Sequence, residues 1–358
     1  MLSLALLLLT VEVTHSYSFA GAVVAASGLS RGVAAPLLGA LVDHRGQSRL
    51  LLGVLLVHLL AVGGFVFVVR TSGPSALLFV LASVAGAATP PVPACFRAIV
   101  PDILSVADRD RTYALDAIAA ELIWIAGPLA VSLAIVISGP TAAVGCCAVS
   151  TAVGVGWFAS HRESRAWRGG SAGDRTRLLA LRSSQLRLVL MTAWLSGVSW
   201  GAFSVVLPRL AEQTGSAGAA GALLASVSLG SIVVGLGLAG RIARIPVRRR
   251  YPGLLALTAL AAVPVGVGRP LWLLMIACFV AGAPLAISAA CQYSLVGETA
   301  TRAAVTEAFT WATAVVGFGI AVGVALGGVL VDLGDPRFAL AFVVLAPMAA
   351  ALVAWRRL

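Results

Sequence analysis

The 358-residue chain is 60% hydrophobic and only 11% charged, with a mean hydropathy of +1.01, whereas ordinary soluble domains carry roughly 25% charged residues. Apolar surface on this scale, spread along the whole length, exceeds what one water-facing fold can bury and excludes a cytosolic globular protein. The net charge of +11 comes from arginine alone, since lysine is absent; the arginines cluster between apolar runs, as topology signals do, and no nucleic-acid partner is expected.

In chain order, "MLSLALLLL" at 1–9 is apolar but too short to cross a hydrocarbon layer of about 30 Å at about 1.5 Å per residue. It has no preceding basic region and no A-x-A site after it, so it reads as a truncated first helix rather than a signal peptide. Spans are expected near 18–42, 50–69, 74–96, 112–138 and 140–160, then 188–208, 216–240, 251–267, 270–294, 303–331 and 337–355. Between the two sets lies the Arg-, Gly- and Ser-rich stretch 161–187, whose composition is that of a linker. The expected organisation is an all-α integral membrane protein of twelve transmembrane helices, the first incomplete. Residues 1–160 form one six-helix bundle, 161–187 a cytoplasmic linker and 188–358 a second bundle.

Internal similarity supports two parallel repeats. "AGAVVAASGLSRG" at 20–32 resembles "AGALLASVSLGSI" at 220–232, and "RTYALDA" at 111–117 pairs with "RAAVTEA" at 302–308, aligning Arg111 with Arg302 and Asp116 with Glu307. If the linker is cytoplasmic, alternation of the spans places 43–49, 97–111, 241–250, 298–302 and the C-terminal "WRRL" on the same side, where arginines crowd. The positive-inside rule then puts both termini in the cytoplasm, with the protein in the cell membrane.

The turn "GALVDHRGQSR" at 39–49 concentrates polar chemistry between two apolar runs. Gly39 permits close helix approach, Gly46 allows a turn conformation, and Arg45 and Arg49 face an anionic leaflet. Asp43 needs a partner, either a local arginine or the positive N-terminus of a neighbouring helix. This turn resembles the loop signature of the major facilitator superfamily, G-x-L-a-D-r-x-G-r-r: Gly39, Leu41, Asp43 and Gly46 match, and His44 and Gln47 stand where basic residues are usual. The copy "GRIARIPVRRR" at 240–250 keeps Gly240 and the arginines, with Arg244 in the acid's place and Val247 in that of the second glycine. The stretch 96–130 is similar to the fourth-to-fifth helix region of drug-exporter branches. Gly127 and Pro128 resemble the antiporter signature G-P-x-x-G-G, whose doublet is here Val131 and Ser132; the same Gly-Pro also serves as a packing or kink feature.

The resemblance implies a rocker-switch carrier whose acid and arginines in the 39–49 turn latch the cytoplasmic side. It implies proton-coupled export of a small organic compound, with small-molecule substrate, protons and the bilayer as partners and a monomeric state. An uptake carrier or facilitator for a metabolite, motivated by the lost glycine doublet, and a truncated non-transporting paralogue are the alternatives.

Ionisable groups within spans cost about 2.5–3.5 kcal/mol on insertion scales. Glu121 lies about 13 Å from the start of its span, deep enough either to carry a proton in a central cavity or to pair with Arg97 or Arg31. Arg31 is itself mid-span and must face protein or a water-filled cavity. Asp116 and Glu307, about one turn inside the boundary, are gate candidates beside Arg111 and Arg302, or solvated helix ends. His58 reads as a satisfied buried histidine. Trp124, Trp194, Trp200 and Trp311 lie within spans, as cavity lining or as packing. Cys95, Cys146, Cys147, Cys278 and Cys291 read as small buried hydrophobes, with no metal site expected. There is no phosphate-binding glycine loop, no HExxH and no nucleophile with a nearby base, and "GETATR" at 297–302 lacks a Walker lysine. An enzyme, an ATP-driven pump or a bound cofactor is therefore not expected.

Overall fold

Backbone groups in lipid are satisfied only by helices or closed barrels, and the apolar runs of this chain adopt helices among the described residues. The computed structural model describes all residues except 1, 15–16, 72, 169–179, 214–219, 243–244, 267–269, 333–335 and 358. The helices are α1 (Leu2–Thr14), α2 (Tyr17–Arg45), α3 (Gln47–Arg70), α4 (Ser75–Ala87), α5 (Val92–Ile103), α6 (Val106–Ser160) and α7 (Arg162–Ala166). They continue with α8 (Ser184–Gln213), α9 (Ala220–Ile242), α10 (Val247–Ala262), α11 (Leu271–Gly282), α12 (Leu285–Thr299), α13 (Val305–Asp332) and α14 (Pro336–Arg357). Among the described residues, nine helical segments are long and apolar enough to cross a membrane, and α1 is a shorter apolar helix.

Prolines punctuate the spans. At Pro90 and Pro91 the missing N–H groups separate α4 from α5, and Pro284 separates α11 from α12. The 55-residue α6 has one non-helical residue, Gly139 at φ 81°. Gly139 ends one helix in the left-handed conformation that glycine alone adopts without strain, and Pro140 opens the next at the position that needs no N–H. The break expected of a Gly-Pro pair therefore falls here, not at Gly127–Pro128, through which the helix runs uninterrupted. Membrane helices tolerate such a proline because local adjustments re-satisfy the backbone.

The chain packs as two compact units: Met1–Ile99 with Trp124–Leu179 and Thr301–Thr310, and Val100–Ile123 with Ala180–Ala300 and Trp311–Leu358. The first is centred on Leu6, Leu9, Val23, Phe65, Leu78 and Val144, the second on Phe203, Val206, Leu223, Val227, Leu274 and Val343. Helix association in lipid lacks a hydrophobic drive and relies on close packing of small residues. In the first unit Gly86 faces the Ser27 backbone, where an added Cβ would lie 2.8 Å from the carbonyl carbon; in the second, one at Gly282 would lie 2.7 Å from that of Val227. Ser27 and Val227 are equivalent positions of the 20–32 and 220–232 repeat, so the repetition in sequence is a repeated helix contact. Gly197 of α8 likewise meets Gly319 of α13, where an added Cβ would lie 3.2 Å from the Gly319 Cα; one at Gly201 would lie 2.8 Å from the Val324 nitrogen, and one at Gly323 2.9 Å from the Ala202 nitrogen.

Candidate functional site

Gly39 and Asp43 lie about one turn apart on α2, and both face the start of α13. An added Cβ at Gly39 would collide with Thr310 Oγ1 and lie 3.0 Å from both the Glu307 Cα and the Thr306 carbonyl oxygen. That approach lets the Asp43 carboxylate accept hydrogen bonds from the backbone N–H groups of Thr306 (3.1 Å) and Glu307 (2.8 Å). The first residues of a helix have N–H groups with no intrahelical partner. Asp43 therefore serves as an N-cap supplied by a distant helix, its charge set against the positive end of the α13 dipole. Of the two partners expected for Asp43, the structure has the helix N-terminus; Arg45 and Arg49 are exposed. Asp43 is 4% exposed and Glu307 2%, so Glu307 is a buried group and not a solvated helix end.

Gly46, at φ 84°, turns the chain into α3. Beside it, Gln47 is fully buried and donates from Nε2 to the Cys95 carbonyl at 3.0 Å, a role that a charged residue at this position could not fill without burying its charge. The first turn of the linker packs against the same place. The Ser48 and Ser164 hydroxyls are 3.3 Å apart, Trp167 is buried, and an added Cβ at Gly46 would lie 3.0 Å from Arg168 Nη1.

A second constellation runs along one face of α6. Asp110 is ion-paired with Arg250 and accepts a hydrogen bond from the Ser294 hydroxyl at 2.5 Å. One turn on, Tyr113 meets Tyr293 edge-on with centroids 6.4 Å apart; then Ala117 and Ile118 pack with Ala286. Glu121 closes the row, accepting from Ser228 Oγ at 3.2 Å, with Ser231 as a second hydroxyl partner. Residues 110, 113, 117, 118 and 121 recur at the three- and four-residue spacing that defines one helix face. Ser231 in turn accepts from the Ala286 N–H at 3.0 Å, capping the start of α12 much as Asp43 caps α13.

The described partners of Glu121 are thus serines of α9, and no ion pair to it exists among the described residues, so of the two alternatives for Glu121 the pairing with Arg97 or Arg31 is not among the described contacts. Ser231 is the repeat counterpart of Arg31, so the position that carries a cation in the first repeat offers a hydroxyl to Glu121 in the second. Arg31 is exposed; Arg97 is buried at 6% and engaged. Asp116 is half-buried, Arg111 exposed, and Arg302 exposed in the 3₁₀ turn Arg302–Ala304 before α13. Glu307 joins Asp43 through its backbone N–H. Gly127 is buried, and the side chains of Pro128 and Trp124 lie outside the described residues. His58 is buried with Nδ1 2.8 Å from the Ala85 carbonyl. Cys95, Cys147, Cys278 and Cys291 are buried thiols, whereas Cys146 is exposed. Trp194 and Trp311 line one cavity of about 290 Å³; Trp200 packs beside Phe203 instead.

Reading the sequence alone misses Asp110, Arg250, Ser228 and Thr306. Arg250 closes the 240–250 copy of the signature, so its arginine cluster was the available signal; the serines and the backbone donors of Thr306 left none.

The sequence profile of the Major Facilitator Superfamily matches residues 1–195 and 189–358. Among solved structures, the fold is similar to a bacterial homologue of the iron transporter ferroportin in an outward-facing state, with 11% identity, TM-score 0.79, and coverage of 99% of this chain and 98% of that one. It is similar to the fucose:proton symporter of E. coli, with 14% identity, TM-score 0.76 and coverage of 100% and 97%. It is also similar to the human organic anion transporter MFSD10, with 19% identity, TM-score 0.66 and coverage of 95% and 83%. No protein of curated function matches the sequence.

Proposed function

Because this multi-pass membrane chain belongs to the major facilitator superfamily, a transporter family, we propose that it is a secondary transporter that exports a small organic compound in exchange for protons by alternating access between two six-helix halves, 1–160 and 188–358. The observation that carries the reading is the Asp43 cap on α13, a buried charge of the first half holding the backbone of the second. Such a contact can form in one conformer and be absent in the other, which is what a latch requires. We assign this end, where the arginine-rich loops lie, to the cytoplasm of a cell-membrane protein with both termini inside. Arg45 and Arg49 then face the anionic leaflet, Arg302 stands just before α13 in the same unit as the latch, and Asp116 and Arg111 are proposed as further gate residues.

Glu121 is the proposed proton site. Its hydroxyl partners can donate to a carboxylate or accept from a carboxylic acid, so the contact with α9 adapts to either protonation state, which a guanidinium partner would not allow. An uptake carrier is the second reading. Val131 supports it: the position that is glycine in the exporter signature is here a side chain buried in the core of the first unit.

The test is Glu121→Gln in proteoliposomes. Loss of pH-driven transport with substrate counterflow intact is expected, since a neutral side chain mimics the protonated state. Undiminished pH-driven transport at equal protein level would remove Glu121 from coupling, and the sign of the pH gradient that drives accumulation separates export from uptake.

A further inference from the structure

Neither the latch nor the Glu121 row uses Arg31, which stands at the middle of the 29-residue α2. At about 1.5 Å per residue it lies about 21 Å from either end of the helix, beyond the reach of an arginine stem that bends toward the headgroups. Arg31 is exposed and makes no ion pair or hydrogen bond among the described residues. A cation at this depth needs water or an opposite charge beside it.

The internal repeat indicates which. Gly28 and Arg31 of α2 correspond to Ser228 and Ser231 of α9. On α9 the two hydroxyls hold a carboxylate, that of Glu121, and Ile232, the counterpart of Gly32, packs against Ala117 and Ile118 of the same α6 face. On α2 this face is bare: Gly28 and Gly32 are exposed, and an added Cβ at either meets nothing within 4 Å. When the alignment of 111–117 with 302–308 is continued, the residue of α13 that corresponds to Glu121 is Ala312. The first repeat thus has a cation in place of a hydroxyl and two glycines in place of a serine and an isoleucine. At the matching position of α13 the chain carries no acid.

We infer that Arg31, with the bare helix face at Gly28 and Gly32, binds the carboxylate of the transported compound, which makes the substrate a small organic monocarboxylate. A planar guanidinium takes one carboxylate in two-point geometry, and Gly28, one turn before Arg31, leaves room for it against the helix. The inference rests on the transport reading, not on its proton coupling or direction.

The experiment measures equilibrium binding to the full chain in zwitterionic nanodiscs, without any gradient. The probes are acids and their amides: benzoate and benzamide, butyrate and butyramide, nicotinate and nicotinamide. At least one acid is expected to bind about tenfold more tightly than its amide, the scale of one charge-assisted contact. Arg31→Gln should erase that preference and Arg31→Lys restore part of it, both with unchanged melting temperature because no described contact is lost. Gly28→Leu, which fills the bare face, should weaken the acid several-fold and spare the fold. The absence of any acid preference in the native chain, or a preference that survives Arg31→Gln, would overturn the inference. So would a preference abolished when phosphatidylglycerol replaces the zwitterionic lipid, because Arg31 would then belong to a lipid headgroup. An Arg31-dependent preference stands even where Glu121→Gln leaves pH-driven transport undiminished, whereas pH-driven transport without that preference removes the carboxylate substrate alone.

Discussion

The Asp43 carboxylate spends both oxygens on backbone donors, and this sets what its substitutions do. Asparagine keeps one acceptor oxygen but turns an N–H donor toward another N–H, and alanine removes both acceptors. Hydrogen bonds to a charged group contribute about 1.5–3 kcal/mol, so Asp43→Asn should lower turnover about tenfold and Asp43→Ala further, with substrate affinity within about twofold because the group lies at the proposed latch and not in a binding cavity. Arg45 and Arg49 variants should show weaker forms of the same defect. Transport and binding assays on reconstituted protein decide this; lost affinity with unchanged maximal rate would reject the latch. The need of Asp43 for a partner was legible in the sequence, since an acid at a span end cannot stand alone. That the partner is the N–H pair of Thr306 and Glu307 was not, because backbone donors carry no letter. Glu121 was legible by its depth. Its serine partners were not, since a serine in a membrane helix commonly donates to a carbonyl of its own helix, as Ser226 does to Ala222 at 2.9 Å, and nothing in the sequence distinguishes Ser228 from it.

Whole helices were easier to read than contacts, because a run of about 20 apolar residues has few alternatives to a span. The same logic located the division of α6 at Gly139, yet the Gly-Pro pair at 127–128 does not break its helix, because a dipeptide does not encode whether its neighbours re-satisfy the freed backbone. The glycines that seat helices on one another can be told from those that do not only by what faces them. Gly282 meets the Val227 backbone, whereas an added Cβ at Gly253 of α10 meets nothing within 4 Å. Gly282→Ala should therefore destabilise the protein by about 1–3 kcal/mol through overpacking. Gly253→Ala should be neutral or stabilising by up to about 1 kcal/mol through helix propensity. Melting in detergent micelles measures both, and an equal response of the two variants would show that the α9–α11 seam is not tight.

At the scale of the molecule, the 20–32 and 220–232 repeat was visible in sequence, whereas the Arg250–Asp110 pair joins residues too distant for any local pattern to connect. The compact units do not follow chain order: 100–123 packs with 180–300, and 301–310 with 1–99. On the proposed division into two halves, 1–160 and 188–358, these exchanged segments and not the covalent link would keep them in company. A chain severed within 169–179 and produced as two co-expressed polypeptides should purify as one complex in mild detergent. Removal of 301–310 from the second fragment should abolish that capture, as should removal of 100–123 from the first. Backbone continuity in this protein would then be an inheritance of how it is made, while allegiance between the halves resides in two exchanged lengths of helix.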